Sequence, residues 1–427
     1  MKTKAIIENG FKETEIGLIP EDWKTVKLGD VAEISSGGSA PQGDSYFNGK
    51  NPFIRVQHID REGDKVIKWD LITDDAVKKY KLKIYPKGTI VFPKSGASIY
   101  LEKRAMLPID TYIVSHLCAV ISNDKNVNQK FLFYELRNIE LSKDKADGYP
   151  TLNLSEVKNV KVIIPSLSEQ QKIAFVLSKV QQAIEQQEKI IETIRELKKS
   201  LMNKLFTEGL HGEEQKETEI GLMPKSWRIE IVINIVEKTK QKNPSQTPEL
   251  TFKYVDVSGI SNEFYKIIEY RTYNGSNAPS RARKLVQTDD VLFATVRPTL
   301  RRMAYIDEKY NGEICSTAFC VLRSKKSVLS SLYLYYCVQR DEFIEELAKL
   351  QRGASYPAIT DNDVKIQQIP LPSFREQNEI ADILSSIDKK ISQAESKKQT
   401  LQALFRTMLN QLMTGKVRVK DLDFEVN

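Results

Sequence analysis

The sequence predicts an α+β protein built as two repeats: two α+β globular domains separated by two long helices that pair as an antiparallel coiled coil, pseudo-twofold symmetric. Three observations carry this. Glu13-Thr14-Glu15-Ile16-Gly17-Leu18-Ile19-Pro20 with Trp23 returns as Glu217-Thr218-Glu219-Ile220-Gly221-Leu222-Met223-Pro224 with Trp227, an offset of 204 residues. Ile164-Pro165-Ser166-Leu167 with Glu169-Gln170 and Ile173-Ala174 returns as Leu371-Pro372-Ser373-Phe374 with Glu376-Gln377 and Ile380-Ala381, an offset of 207. Each copy of this second motif opens a long apolar seam. Two motifs recurring in the same order at nearly one offset make chance a poor account, and a repeat dictates the architecture before any single element does.

Composition sets the outer limits. A chain of 427 residues has length for two or three domains, and 41% hydrophobic with 28% charged residues excludes wholesale disorder. With 64 Lys+Arg against 57 Asp+Glu the net charge is +7, a mild surplus that permits a polyanionic partner without demanding one. No stretch approaches the roughly 18 apolar residues of a membrane span, and Met1-Lys2-Thr3-Lys4 leads into mixed polar sequence without a signal-peptide core, so a cytoplasmic protein is expected. Cys118, Cys315, Cys320 and Cys337 form no CxxC pair; reduced, buried thiols are expected, with no disulfide framework and no metal.

In chain order the reading is an N-terminal segment 1–19, a globular domain 20–165, a helix 166–208, a linker 209–223, a second domain 224–372, a second helix 373–414 and a tail 415–427. Short β-rich runs, among them Ile90 to Phe92, Leu117 to Ile121, Tyr254 to Val257 and Val291 to Phe293, lie between turn residues in the domains. The helices follow from Ile173, Leu177, Val180, Ile184, Ile191, Ile194, Leu201 and Leu205, a 4-3 spacing repeated by Ile380, Leu384, Ile387, Ile391, Ala394, Leu401, Phe405, Met408 and Leu412. Ser168 and Ser373 are candidate N-caps, and Gly209 and Gly415 stand where each helix should stop. A helix about 55 to 60 Å long with one seam of 3.5-residue period needs another long helix to cover it, and the two copies are the obvious partners. The alternative is that each helix docks on its own domain.

Signatures of catalysis are missing. There is no GxxxxGK[ST] loop, the histidines His58, His116 and His211 do not cluster, and the dipeptide Pro-Asp of the common nuclease carboxylate cluster does not occur. Asn51-Pro52-Phe53 lacks the second proline of an amino-methylating loop and reads as a turn entering a strand. No catalysis and no cofactor are expected in this chain.

Basic and aromatic residues instead flank one equivalent strand of each domain. Before the first stand Lys79, Lys81 and Lys83; after it come Lys94 and Ser95, then Arg104. Before the second stand Arg281, Arg283 and Lys284; after it come Arg297, Arg301 and Arg302. Such groups neutralise phosphates, and an Arg on a tight loop can read guanine edges in the major groove. Taken singly, a Lys run is a solvated face; the matched placement with unlike side chains is what two readers of different sequences would need. Tyr149 and Tyr356, each before a proline, could aim a ring at a groove or pack a corner. His116 is expected as a buried, satisfied polar group.

The set of motifs resembles the specificity subunits of type I restriction-modification systems over nearly the whole chain, through Glu15 to Trp23 and Glu219 to Trp227, the openings at Pro165 and Pro372, and the long helices. The resemblance implies that each globular part is a target recognition domain, that the helices are spacers, and that the subunit itself catalyses nothing. It also implies double-stranded DNA with a bipartite, asymmetric target as ligand. The implied partners are two S-adenosylmethionine-dependent methyltransferase subunits and restriction subunits using ATP and Mg, these cofactors being held by the partners. A duplicated protein-interaction scaffold that reads no DNA remains the alternative, and a fused enzyme with its own methyl-transfer site is a third reading.

Overall fold

The computed structural model describes residues 10–60, 64–143, 150–420 and 422. Two compact units emerge: unit 1 comprises Met1–Glu188 with Lys397–Asn427, and unit 2 comprises Lys189–Ser396. Their boundaries cut through both long helices, Leu167–Glu208 and Phe374–Met413, so each unit holds one globular domain, part of the helix that follows it, and part of the other helix.

The globular part of unit 1 has two four-stranded sheets. One runs Ala32–Ser36, Leu117–Ser122, Ile90–Pro93, Ala105–Met106, all antiparallel; the other runs Asp70–Ile72, Phe47–Ile54, Thr111–Ile113, Ile84–Tyr85, with a parallel pair at its centre. Unit 2 repeats the plan with Met303–Tyr305, Val291–Ala294, Phe319–Leu322 and with Arg271–Asn274, Thr251–Val255, Ile314–Ser316, Ala282–Leu285. The expected runs are strands, except that the one beginning at Tyr254 ends at Val255, with Asp256 capping a 3-10 turn that holds Val257. Asn51 sits within a strand, at a register shift, rather than in a turn before it.

The repeated sequence motifs prove to be one structural device used twice. Glu13 to Pro20 and Glu217 to Pro224, expected as parts of a terminal segment and a linker, are instead β-hairpins, because Gly17 and Gly221 take left-handed backbone (φ 110° and 97°) at the turns. Strand Lys24–Lys27 then pairs with Lys161–Ile164, and Arg228–Ile231 with Gln368–Leu371, which brings each tryptophan to the start of a long helix. Trp23 Nε1 donates to Glu169 at 3.0 Å, and Trp227 Nε1 to Glu376 at 3.1 Å. The neighbouring glutamines clip the helix start to the domain: Gln170 accepts from Asn128 N and donates to the carbonyls of Asn126 and Pro165, while Gln377 accepts from Ser330 N and donates to Val328 and Pro372. In unit 1, Arg418 lies over the Trp23 ring and bridges Glu169 to Asp22.

The helix seam is buried or half-buried along its length. Within unit 1, Glu188 meets Lys398 at 3.0 Å and Ile184 shares a core with Phe405 and Leu412. Within unit 2, Arg195 meets Glu395 at 2.6 Å, Lys198 meets Asp388 at 2.7 Å, and Leu205 shares a core with Ile380 and Leu384. Numbers rise on one helix as they fall on the other, so the pairing is antiparallel. The same core clusters also contain Phe131 and Val162 in unit 1 and Tyr333 and Ile369 in unit 2, so the seam is covered by helix and domain together rather than by one of them.

Both glycines expected as stops are left-handed, φ 67° at Gly209 and 69° at Gly415. The N-cap expectation needs one correction: Ser168 lies inside the helix, and it is Ser166 whose Oγ accepts from Glu169 N at 3.3 Å, matching Ser373 with Glu376 N. Ser166→Ala is therefore expected to cost about 1 kcal/mol in urea unfolding and Ser168→Ala almost nothing. All four cysteines are free and buried, and burial pushes their thiols far up, Cys118 to about 12. Among the described residues no helix is long and apolar enough to cross a membrane, and no group of His, Cys, Asp and Glu could hold a metal ion.

Candidate nucleic-acid interface

The two flanked strands, Ile90–Pro93 and Val291–Ala294, sit between equivalent neighbours, and the chain leaving each is tied by the same three main-chain hydrogen bonds. In unit 1, Lys94 N donates to His116 O (2.9 Å), Leu152 N to Lys94 O (2.8 Å) and Gly96 N to Pro150 O (2.8 Å). In unit 2, Thr295 N donates to Ala318 O (2.8 Å), Ile359 N to Thr295 O (2.9 Å) and Arg297 N to Pro357 O (2.7 Å). The loop after the strand, the turn before the next strand and the segment holding the Tyr-Pro proline thus converge in both units. The backbone is shared and the side chains are not.

In unit 2 the tip is Arg297. It occupies left-handed backbone (φ 49°, ψ 57°), where unit 1 has Gly96, also at positive φ but with extended ψ (φ 75°, ψ −179°). A glycine takes that conformation freely, whereas a residue with a Cβ pays about 1–2 kcal/mol, so an arginine held there points to use of its side chain. Its guanidinium donates to Ser355 O at 3.3 Å and lies 5.0 Å from the ring centre of Tyr356, which is 72% exposed. In unit 1 the corresponding place holds half-buried Lys94 and an exposed pair, Ser95 Oγ and His116 Nδ1, at 2.5 Å.

His116 is therefore exposed, contrary to expectation. The apolar run after it made it look internal, but it sits on the turn whose carbonyl anchors Lys94, with its ring outside. The available signal was the polar pair Ser115-His116 immediately before an apolar strand, where a turn is expected.

Two other site candidates are corrected. Arg104 is buried, paired with Glu102 and stacked 4.9 Å from the Phe92 ring centre. Lys284 is buried, donating to Phe319 O and Asp361. A charge that is buried and paired holds the fold and cannot reach phosphate. Arg301 is engaged by Asp341, and Arg302 donates to the carbonyls of Val257 and Ile260 at 2.8 and 3.0 Å, pinning a turn. Arg283 is half-buried and donates to Ala282 O. Arg281 is exposed beside the turn that carries Ala318, its carbonyl accepting from Thr317 N. Lys79, Lys81 and Lys83 are exposed; Lys79 donates to Tyr46 Oη at 2.5 Å and Lys83 to Glu33 at 2.8 Å. Tyr149 lies outside the described residues.

A family model described as the type I restriction modification DNA specificity domain matches residues 20–196 and again 227–403. The chain belongs to the type I restriction-modification specificity family. Each match takes in one globular domain and much of the helix after it, the portion joined by the tryptophan and glutamine contacts. The MjaVIII specificity subunit of Methanocaldococcus jannaschii is 27% identical over 434 residues, covering 98% of each chain. The EcoDI specificity subunit of Escherichia coli is 22% identical, covering 85% of this chain and 81% of its own. The crystal structure of the S subunit of a type I restriction-modification system from M. genitalium shares the fold over 96% of this specificity chain and 99% of its own, with a TM-score of 0.59 at 15% identity.

Proposed function

We propose that this chain is the DNA-reading, non-catalytic member of a type I restriction-modification complex, and that each unit reads one half of a bipartite, asymmetric duplex target. Methyl transfer and cleavage then belong to methyltransferase and restriction subunits that it recruits, and S-adenosylmethionine, ATP and Mg are bound there. The observation that carries this reading is the shared scaffold with exchanged tips: identical main-chain ties present Lys94, Ser95 and His116 in one unit and Arg297 with Tyr356 in the other. Reading two different half-sites needs that combination, since the backbone fixes where a side chain reaches and the side chain decides which base edge it meets.

The test is methylation mapping with the chain joined to its methyltransferase. Arg297→Ala is expected to make one base pair of one half-site degenerate, at about 1–3 kcal/mol of lost discrimination, with the other half-site unchanged. Equal loss on every sequence would reassign Arg297 to the phosphate backbone. The purified chain alone is expected to bind duplex DNA in a salt-dependent manner and to transfer no methyl groups. Salt-independent or absent duplex binding would favour the protein-interaction scaffold, and methyl transfer by the chain alone would overturn the non-catalytic reading.

A further inference from the structure

We propose that unit 2 also carries a pocket for one nucleotide whose base bears an exocyclic amino group, beside its reading turn. A cavity of about 270 Å³ opens against the sheet edge and is lined by Tyr254, Tyr270, Tyr273, Arg271, Arg281 and Asp256, with Glu269 at its rim. That volume lies just under the range for drug-sized ligands and suits one nucleotide rather than a stretch of strand.

The strand pairing builds it. Tyr254 faces Arg271 across the antiparallel pair of Thr251–Val255 and Arg271–Asn274, with Tyr273 two residues further along the edge strand. Tyr254 and Tyr273 meet edge to face at 5.9 Å, so the cavity has an aromatic wall. Arg271 is 73% exposed, hydrogen-bonds the Tyr273 hydroxyl and has its Nε 3.9 Å from the Glu269 carboxylate, so the guanidinium lies at the pocket's aromatic wall with solvent-facing N–H groups. Arg281 is tied through its carbonyl to Thr317, next to the Ala318 carbonyl that anchors the reading loop.

In unit 1 the corresponding residues engage one another. Phe53, Arg55 and Asp70 are the positional counterparts of Tyr254, Asp256 and Arg271, as the strand registers show. There Arg55 Nε meets Asp70 at 2.6 Å and its guanidinium sits 5.6 Å from the Phe53 ring centre, with His58 Nε2 3.6 Å from Asp70. Unit 2 exchanges the two charges between the strands and replaces Phe53 with a tyrosine, and the cavity lies beside them. Tyrosine rings stack bases without regard to sequence, arginine takes phosphate, and carboxylates accept from an adenine or cytosine amino group. The tyrosines, arginines and carboxylates found here match those three parts of a nucleotide.

The pocket's chemistry stands on its own; only a DNA origin of the nucleotide rests on the function proposed above. Titration of the full chain by calorimetry with AMP, TMP and inorganic phosphate tests the chemistry. AMP is expected to bind at least tenfold more tightly than TMP or phosphate, and Arg271→Gln and Tyr273→Leu, with unchanged melting temperature, each to weaken it roughly tenfold. AMP binding no better than phosphate, or unaffected by both substitutions, overturns the pocket. A duplex with one bulged 2-aminopurine then separates the sources: quenching lost in Arg271→Gln assigns a nucleotide displaced from DNA, and AMP binding without quenching assigns a free nucleotide. Failure of plain duplex to bind would sink the proposed function while leaving AMP binding intact.

Discussion

Trp23→Ala is expected to destabilise unit 1 by about 3–5 kcal/mol. The ring is fully buried, its Nε1 is bonded to Glu169, and the Arg418 guanidinium covers it at 5.4 Å. Alanine would leave a cavity among Ile19, Leu28 and Ile173 and would strip one partner from a carboxylate that is itself 1% exposed. Glu169 keeps Arg418, so the loss is dominated by the cavity and not by an orphaned charge. Hydrogen exchange should show the loss in the strands Ile90–Pro93 and Leu117–Ser122 as well as at the hairpin, because they share that core. Protection lost at the hairpin alone would mean that the tryptophan does not join hairpin, domain and helix into one cooperative unit.

Glu135 is expected to take stability from unit 1 as pH rises from about 4.5 to about 8, whereas His58, whose pKa burial lowers, adds stability over the lower part of that range. The Glu135 side chain is 1% exposed; one oxygen accepts from Ile163 N at 2.9 Å and the other has no hydrogen-bond partner. Burial without a cation pushes its carboxyl up to about 8. Below about 4.5 both folded and unfolded chains hold the proton and pH has no effect through this group. Between 4.5 and 8 the unfolded chain releases it while the folded chain keeps it, so folding loses about 1.4 kcal/mol per pH unit, of order 5 kcal/mol in all; above 8 the cost is constant. Glu135→Gln should remove this slope, so that the stability difference between variant and parent in urea unfolding grows in the variant's favour from pH 5 to 8 and then levels. Parallel pH profiles would show that the carboxyl is ionised or solvated in the fold. Unit 2 has Cys337 at the corresponding helix position, seven residues after the residue whose N–H the motif glutamine accepts, so that position contributes no such slope there.

The repeat, the strand-rich domains and the helix seam were legible because each is written in local order. The motifs recur in the same order at nearly one offset, 204 and 207 residues, and Ile173, Leu177 and Ile184 share a face through the helix period alone, whatever they pack against. What the motifs do was not legible. Trp23 and Glu169 stand 146 residues apart, and only the pairing of Lys24–Lys27 with Lys161–Ile164 brings them together. The domains also do not keep wholly separate cores: Phe53 and Ala119 belong to a cluster inside the 20–165 block, whereas Phe131 and Val162 share theirs with Ile173 and Phe405. An exchange of that block between relatives must therefore preserve its helix-facing residues.

The candidate interface divides in the same way. The sequence alone determined that basic residues flank an equivalent strand in each domain, since a strand of known register fixes its neighbours in the chain. It could not separate Arg297 from Arg104 and Lys284, which look alike beside apolar runs. Tertiary structure made that choice. Arg104 and Lys284 extend into interiors where Glu102 and Asp361 meet them, whereas Arg297 is turned outward by a left-handed backbone tied to Pro357. Lys284 is met by Phe319 O and the Asp361 carboxylate, which arrive from distant parts of the chain, and Arg104 is covered by the Phe92 ring; it is this desolvation and pairing, not the local pattern, that decides which cation stays at the surface.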